Sequence, residues 1–211
     1  MRRHLNVVKI AMSLFLGLTI FGCAVFNGGK VPETVLTPLE KMDQPKPTIS
    51  YGIMAMGGLF RTSNSPEIVQ SIIAGELLQT LEQSNYFSRI SKNDDEADIS
   101  LSVTIKNTGT PAAMIPAIIT GLSLYTIPSW ATDNFEVTAL ARNRRGYSKE
   151  YTLSDSTTLV QWLPMLFVFP VKNFSVIPEV RKNIYRNILS QMKIDGFITS
   201  NTTVKISGSS Q

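Results

Sequence analysis

Residues 99–105 read Ile99-Ser100-Leu101-Ser102-Val103-Thr104-Ile105, and this stretch decides the fold class. Apolar residues occupy every second position, and serine or threonine fills the positions between them. Because successive side chains of a strand point to opposite faces of a sheet, the alternation predicts a β-strand with one buried face. The chain is therefore expected to contain a sheet that packs on one side against other elements.

Two long amphipathic helices are predicted to cover that face. The first begins at Pro66, with Ser65 as its N-cap, and runs to about Ser84. The second begins at Pro178 and ends near Gly196. In both, apolar residues recur three or four positions apart, which is the spacing of one helical face. They are Val69, Ile72, Ile73, Leu77 and Leu81 in the first helix, and Val180, Ile184, Ile188 and Met192 in the second.

Further strands are predicted at Thr48–Met56 and Phe87–Ile90, together with a hairpin formed by Phe135–Arg142 and Tyr147–Leu153. The whole pattern predicts an α+β domain. Its expected form is a small, mostly antiparallel sheet with two long amphipathic helices packed on one face, plus two proline-limited apolar segments.

The start of the chain has the layout of a secretory signal peptide. Arg2, Arg3 and Lys9 precede an uncharged apolar run from Ile10 to Gly22, and Cys23, the single cysteine of the chain, follows directly. This run of 13 residues is shorter than the roughly 20 that a transmembrane helix needs. We therefore expect cleavage before Cys23 rather than an uncleaved membrane helix.

The four residues Ile20-Phe21-Gly22-Cys23 resemble a bacterial lipobox, with an aliphatic residue three places before the cysteine and a small one just before it. The resemblance implies that Cys23 becomes the acylated first residue of the mature protein, and more than one acyl chain makes such attachment stable. In bacterial lipoproteins an aspartate after the cysteine is the usual inner-membrane retention signal, and here that residue is Ala24. The resemblance therefore implies a lipid anchor in the outer membrane, on its periplasmic face.

The expected organisation has four parts. Residues 1–22 are the signal peptide, 23–47 a lipidated flexible tether rich in glycine and proline, 48–199 a single α+β periplasmic domain, and 200–211 a polar tail. Cleavage lowers the count of Lys and Arg from 20 to 17, against 16 Asp and Glu. A nearly neutral mature chain gives no reason to expect a nucleic-acid partner.

The mature chain lacks the residues of common catalytic and metal sites. The only histidine, His4, lies in the predicted signal peptide, and Cys23 is the predicted anchor. A zinc site of common type or a nucleophilic triad needs those residue types, so we expect no metal and no cofactor. General acid or base chemistry would fall to carboxylates, lysine or tyrosine. A carboxylate-dependent enzyme acting on an envelope lipid or glycan is thus the alternative to a non-enzymatic protein.

Two uncharged apolar segments, 111–131 and 157–171, carry both tryptophans of the chain. Two interpretations are open: the segments complete the core, or they project into lipid or onto a membrane partner. On the second interpretation the contact residues are Ile118, Ile119, Leu122, Trp130, Trp162, Leu166 and Phe167. Arg144 and Arg145, at the predicted hairpin tip, are further candidates because guanidinium groups bind lipid phosphates.

The phrase Ser84-Asn85-Tyr86-Phe87 after the first helix, and Ala97-Asp98-Ile99 at the start of the alternating strand, resemble a recurrent envelope module. The module is the small α/β domain at the amino end of the TolB translocation protein, also found in periplasmic lipoproteins of curli secretion or lipid transport; here it would cover about 66–106. The stretches 121–130 and 155–170 are similar to a family of uncharacterised small lipoproteins. These resemblances imply a binding or accessory role, with an envelope protein partner, in envelope assembly, transport or maintenance.

Overall fold

The computed structural model describes residues 23–39, 45–57, 66–109, 114–165 and 175–198. The predicted signal peptide and polar tail lie outside these ranges. The strands are β1 (Cys23–Asn27), β2 (Thr48–Met56), β3 (Arg89–Lys92), β4 (Ile99–Asn107), β5 (Ser129–Asn143) and β6 (Ser148–Gln161). The helices of the described ranges are α1 (Pro66–Ser84), α2 (Met114–Leu122) and α3 (Val176–Ile194).

The six strands form one curled, half-barrel sheet in the order β1-β6-β5-β4-β2-β3. The pairs β1–β6, β5–β6 and β4–β5 are antiparallel, whereas β2 runs parallel to both β3 and β4. The β5–β6 hairpin is the longest ladder and extends from the pair Ser129 and Gln161 to the pair Arg142 and Ser148.

The predicted small, mostly antiparallel sheet with two long helices is wrong. The sheet is mixed, and three helices accompany it within the described residues. Helix α1 supplies the long connection between β2 and β3, and a crossover of that length allows two neighbouring strands to run parallel. Strand β1 forms one edge of the sheet, and it comes from a segment whose composition is typical of a linker. Helix α2 is shorter than the other two helices.

The alternating stretch does form a central strand, as predicted. Ile99, Leu101, Val103 and Ile105 are buried in β4, with Ile49 and Tyr51 of β2 on the same face. Helices α1 and α3 run over this face and contribute further core residues, among them Ile73, Leu77, Leu81, Ile184, Ile188 and Met192. Both helices lie within a few residues of their predicted bounds.

A buried ion pair joins the two long helices. Arg181 of α3 donates from Nε to Glu76 Oε2 at 2.7 Å and from Nη2 to Glu76 Oε1 at 2.6 Å. Both side chains are almost inaccessible, and the guanidinium group also lies over the ring of Phe135 in β5. The two-point geometry fixes the position of α3 relative to α1 and to the sheet.

Residues 23–39 lie against the domain, where the sequence predicted a flexible tether. Beyond β1, the carboxylate of Asp155 accepts the backbone N–H groups of Lys30 and Val31, both at 3.2 Å. Asn183 of α3 donates to the carbonyl of Pro32 at 3.1 Å and accepts the N–H of Thr34 at 2.9 Å. Buried polar side chains thus satisfy the backbone of a segment that is rich in glycine and proline.

Candidate functional site

The predicted acylation residue begins the edge strand of the sheet. Cys23 is paired with Gln161, the last residue of β6, and Gln161 is paired in turn with Ser129, the first residue of β5. Ser129 also donates its hydroxyl to Gln161 Oε1 at 3.3 Å. Both predicted apolar segments pass through this rung, because residues 111–131 include Ser129 and residues 157–171 include Gln161. The predicted anchor position and the two segments therefore meet at one end of the sheet.

Helix α2 exposes its apolar side chains, whereas an ordinary surface helix buries them. Its apolar side chains Ile115, Ile118, Ile119 and Leu122 are at least half exposed, and Leu122 reaches 81%. The residue that it buries completely is polar: Thr120 is inaccessible, and its hydroxyl has no hydrogen-bond partner among the described residues. A helix of a soluble domain normally turns its apolar stripe toward the core. Here that stripe faces outward.

The turn after α2 holds a leucine in a conformation that suits glycine. Leu124 and Tyr125 have φ values of 57° and 62°. The N–H of Leu124 bonds the carbonyl of Gly121 at 3.1 Å, and that of Tyr125 bonds Thr120 at 2.8 Å. This is the Schellman pattern of a helix end, with Leu124 at the position where glycine is usual. Leu124 is about half exposed, so a left-handed backbone presents an apolar side chain to the surroundings.

The same turn satisfies its own backbone donors. The N–H groups of five consecutive residues, Ser123, Leu124, Tyr125, Thr126 and Ile127, all donate to acceptors between Ile119 and Ser123. Exposed turns usually leave some of these groups to water. In this turn each of the five N–H groups has an acceptor within the protein, so none of them depends on water for a hydrogen bond.

The second apolar segment packs beside the first. The N–H of Leu163 donates to the carbonyl of Tyr125 at 2.8 Å, which joins the turn after β6 to the turn after α2. Trp130 in β5 is 68% exposed, and Trp162 and Leu163 are also exposed. We call this surface the apolar end; it comprises Ile115, Ile118, Ile119, Leu122, Leu124, Ile127, Trp130, Trp162 and Leu163. No residue from 114 to 132 or from 156 to 165 is charged.

The exposure of these residues favours projection from the domain over burial in its core. Of the predicted contact residues, Ile118, Ile119, Leu122, Trp130 and Trp162 are on the apolar end. Leu166 and Phe167 lie outside the described residues. Among the described parts of the chain, no helix is long and apolar enough to cross a membrane.

The predicted arginine contacts are not part of the apolar end. Arg144 and Arg145 occupy the turn between β5 and β6, and the β5–β6 ladder separates this turn from the Ser129–Gln161 rung by roughly 45 Å of strand. Arg144 Nε donates to the carbonyl of Ala97 at 3.3 Å and lies 3.7 Å from Asp98 Oδ1. The position of Arg144 favours a role in holding the hairpin turn against the start of β4.

Two carboxylates, Glu33 and Glu179, border a groove but form no metal cluster within the described residues. Residues 27–33 and the first half of helix α3 line this groove of about 490 Å³, which also contains Arg186. Glu179 pairs with Lys182 at 3.3 Å and with Arg186 at 3.5 Å, an arrangement common in surface ion pairs. In the described ranges no three acidic, histidine or cysteine side chains are placed to hold a metal ion.

Two carboxyl groups between β3 and β4, those of Asp94 and Asp98, have structural partners. Asp98 accepts both the N–H and the hydroxyl of Thr48 at 2.8 Å, and these bonds lower its pKa. Asp94 accepts the N–H of Glu96 and the hydroxyl of Ser91, which lower its pKa as well. Both groups therefore stabilise the entry to β4.

Sequence reasoning missed the strand that begins at Cys23, the predicted acylation residue. Ala24-Val25-Phe26, followed by Asn27-Gly28-Gly29, has the form of a short strand and a turn, but the glycines and prolines around it favoured a linker. Ala24 and Val25 are buried in the structure. Gly28 is required here, since a Cβ atom at that position would lie 2.8 Å from the backbone carbonyl oxygen of Ser156.

Comparison with known proteins gives structural likeness only. No protein-family model matches the chain, and no curated protein matches its sequence. A minor lipoprotein from Acinetobacter baumannii is similar in structure, with a TM-score of 0.35 and 10% identity, over 70% of this chain and 93% of that one. The PelC dodecamer from Paraburkholderia phytofirmans gives a TM-score of 0.28 and 11% identity, over 78% and 96%. Likeness at this level does not define a function, so the proposal below rests on the residues of this chain.

Proposed function

We propose that this chain is a bacterial lipoprotein, acylated at Cys23, which stands on the periplasmic face of the outer membrane. There it acts as a non-enzymatic binding or accessory component in assembly, transport or maintenance of the envelope. The outer-membrane placement follows from Ala24, at the position of the retention signal, and the anchor follows from the lipobox. No metal, cofactor or nucleic acid enters this function.

One observation supports the proposal most. The residue that the lipobox marks for acylation is hydrogen-bonded into the sheet at the rung where the apolar end begins. An acyl anchor at that position would bring an uncharged, exposed surface to the membrane without any free linker. Single exposed apolar residues are ordinary, but a contiguous group of them marks an interaction surface.

The enzymatic alternative has a specific place in the structure, the groove that contains Glu33 and Glu179. A carboxylate-dependent hydrolase would use two such groups, one as acid and one as base. The Glu33→Gln, Glu179→Gln double variant removes that chemistry and preserves the shape of both side chains. In cells this variant should inactivate a carboxylate-dependent enzyme but leave a non-enzymatic binding protein functional.

The test compares complementation in the bacterium that carries the protein. Deletion of the chain should weaken the outer-membrane barrier, measured as entry of a large hydrophobic dye. The wild type and the Glu33→Gln, Glu179→Gln variant should both restore the barrier. Cys23→Ser should not, and it should lose both fatty-acid labelling and outer-membrane fractionation, because the chain has no second cysteine. A folded, acylated glutamine variant that fails to complement would favour the enzyme instead.

A further inference from the structure

We propose that the apolar end inserts into the lipid leaflet in which the acyl chains of Cys23 are anchored. The membrane is then the occupant of this surface, and the domain has one fixed orientation relative to it. The inference deepens the proposed function and rests on it for the anchor. The insertion itself rests on separate features of α2, of the turn that follows it, and of the two tryptophans.

The backbone of the apolar end suits a medium that offers no hydrogen bonds. In hydrocarbon every unsatisfied backbone donor is strongly unfavourable. The N–H groups from Ser123 to Ile127 all have acceptors within the turn and the end of α2. The hydroxyls of Ser123 and Thr126 also donate, to the carbonyls of Thr120 and Ser123. An exposed loop intended for water has no need of this degree of internal satisfaction.

The side chains of the apolar end suit a fluid partner better than a protein surface. Protein interfaces combine an apolar centre with a polar rim and direct hydrogen bonds between the partners. The apolar end has no charged residue, and among the α2 side chains whose burial is described only that of Thr120 is completely buried. Its aliphatic groups are exposed as one contiguous group, with Leu122 exposed to 81%. Acyl chains can fill the space between such groups without a complementary shape.

The tryptophans lie where a membrane interface would place them. Trp130 is one residue from Ser129 and Trp162 is one residue from Gln161, so both are next to the rung that holds Cys23. Tryptophan prefers the headgroup level of a bilayer, with its ring between water and hydrocarbon. The arrangement puts α2 and Leu124 deeper in the leaflet, the tryptophans at its surface, and the anchor beside them.

The experiment uses the two tryptophans as depth probes, since the chain has no others. The acylated mature protein, which begins at Cys23, is reconstituted into vesicles of phosphatidylethanolamine and phosphatidylglycerol, with and without bromine on the lipid acyl chains. Trp130→Phe and Trp162→Phe separate the two signals. We expect each tryptophan to emit at shorter wavelength in vesicles than in detergent-free buffer and to lose intensity on brominated lipid. Unquenched emission from a chain that is acylated and vesicle-bound would overturn the insertion while leaving the anchor intact.

Matched variants test which residues are responsible. Replacing Ile118 and Leu122 by glutamine should reduce the quenching, whereas Ile194→Gln should not, although Ile194 is 82% exposed and thus comparable with Leu122. Near-ultraviolet circular dichroism confirms that each variant is folded. If the wild-type chain proves unacylated, vesicle titration of residues 23–211 carrying Cys23→Ser tests insertion without the apolar run of residues 10–22. Binding with a blue shift of the emission supports insertion, and no binding overturns it.

Discussion

Leu163 donates its backbone N–H to the carbonyl of Tyr125 at 2.8 Å. These two residues belong to apolar segments that are far apart in sequence, and the bond makes the segments one surface. Tyr125 offers its carbonyl in this direction because Leu124 and Tyr125 both adopt left-handed backbone angles. The conformation of Leu124 is therefore part of how the apolar end is built.

The strain at Leu124 leads to a prediction in which stability and membrane contact change in opposite directions. A side chain in the left-handed region destabilises the fold by about 1 kcal/mol relative to glycine. Leu124→Gly should therefore raise the free energy of unfolding by up to about that amount in chemical denaturation. The same variant should show weaker quenching of Trp130 and Trp162 by brominated lipid, because an inserted leucine has been removed.

Leu124→Ala is the matched control for that variant. It removes the same apolar group but keeps a Cβ atom at a φ of 57°. We expect the loss of quenching without the gain in stability. If Leu124→Gly instead unfolds at lower denaturant concentration than the wild type, Leu124 contributes to the core, and the turn has been misinterpreted.

The sequence predicts a strand well where buried and exposed residues alternate. It predicts the pairing of strands poorly where the partner strand is remote in the sequence. Ile99 to Ile105 alternate because one face of β4 is buried, and the structure confirms that strand. The parallel pairing of β2 with β3 and β4 was missed, since strand patterns alone do not define direction. The connection through α1 was the available signal, because a helical crossover allows parallel neighbours.

For the candidate site, too, the sequence predicts the local segments but not how they pair over long distances in the chain. The two apolar segments and their tryptophans were recognised in sequence, but their meeting at Leu163 and Tyr125 depends on the β5–β6 register. Gly28 and Gly29 directly follow strand β1, and their presence favours a flexible tether in the sequence. The pairing of β1 with β6 is long-range, so local composition contains no information about it.

Removing one partner of the buried ion pair should be strongly destabilising. Arg181→Met leaves Glu76 buried without its two donors, and such a change costs about 3–5 kcal/mol. The double variant Glu76→Met, Arg181→Met should recover most of the loss, because no uncompensated charge remains. Urea denaturation of the three proteins measures both effects.

An exposed ion pair provides the control. Arg89 lies 3.2 Å from Asp94, and the arginine side chain is 55% exposed. Arg89→Met should change the free energy of unfolding by no more than about 1 kcal/mol. Equal effects at Arg89 and Arg181 would contradict the assignment of Arg181 to the core.

Replacing Asp133 by asparagine should increase stability in a pH-dependent way. Burial raises the pKa of this carboxyl, although Asn107 Nδ2 donates to Oδ2 at 2.7 Å; Oδ1 has no partner among the described residues. A raised pKa in the folded state means that ionised Asp133 destabilises the fold above that pKa, and that this penalty disappears below the ordinary aspartate pKa. Asp133→Asn should therefore stabilise the protein at neutral pH, by about 1 kcal/mol.

The pH dependence of the stability gain distinguishes loss of the Asp133 charge from a general packing effect. The difference in Tm between Asp133→Asn and wild type should shrink as the pH falls through the raised pKa of Asp133 toward the ordinary aspartate range. Carboxyls with lowered pKa, such as Asp98 and Asp195, titrate in both proteins and leave the difference unaffected. A difference that is constant with pH would show that ionisation of Asp133 is not its cause.

The central claim is that the domain rests directly on the membrane at the Cys23 end of the sheet, and neutron reflectometry tests it most directly. The acylated mature protein, which begins at Cys23, is bound to a supported bilayer, and the scattering profile is recorded along the membrane normal in several contrasts. We predict that protein density begins within the headgroup layer, with no water-filled gap, because Cys23 is paired to Gln161 beside the apolar end. A hydrated gap between the headgroups and the domain, as a flexible tether would produce, would contradict the account.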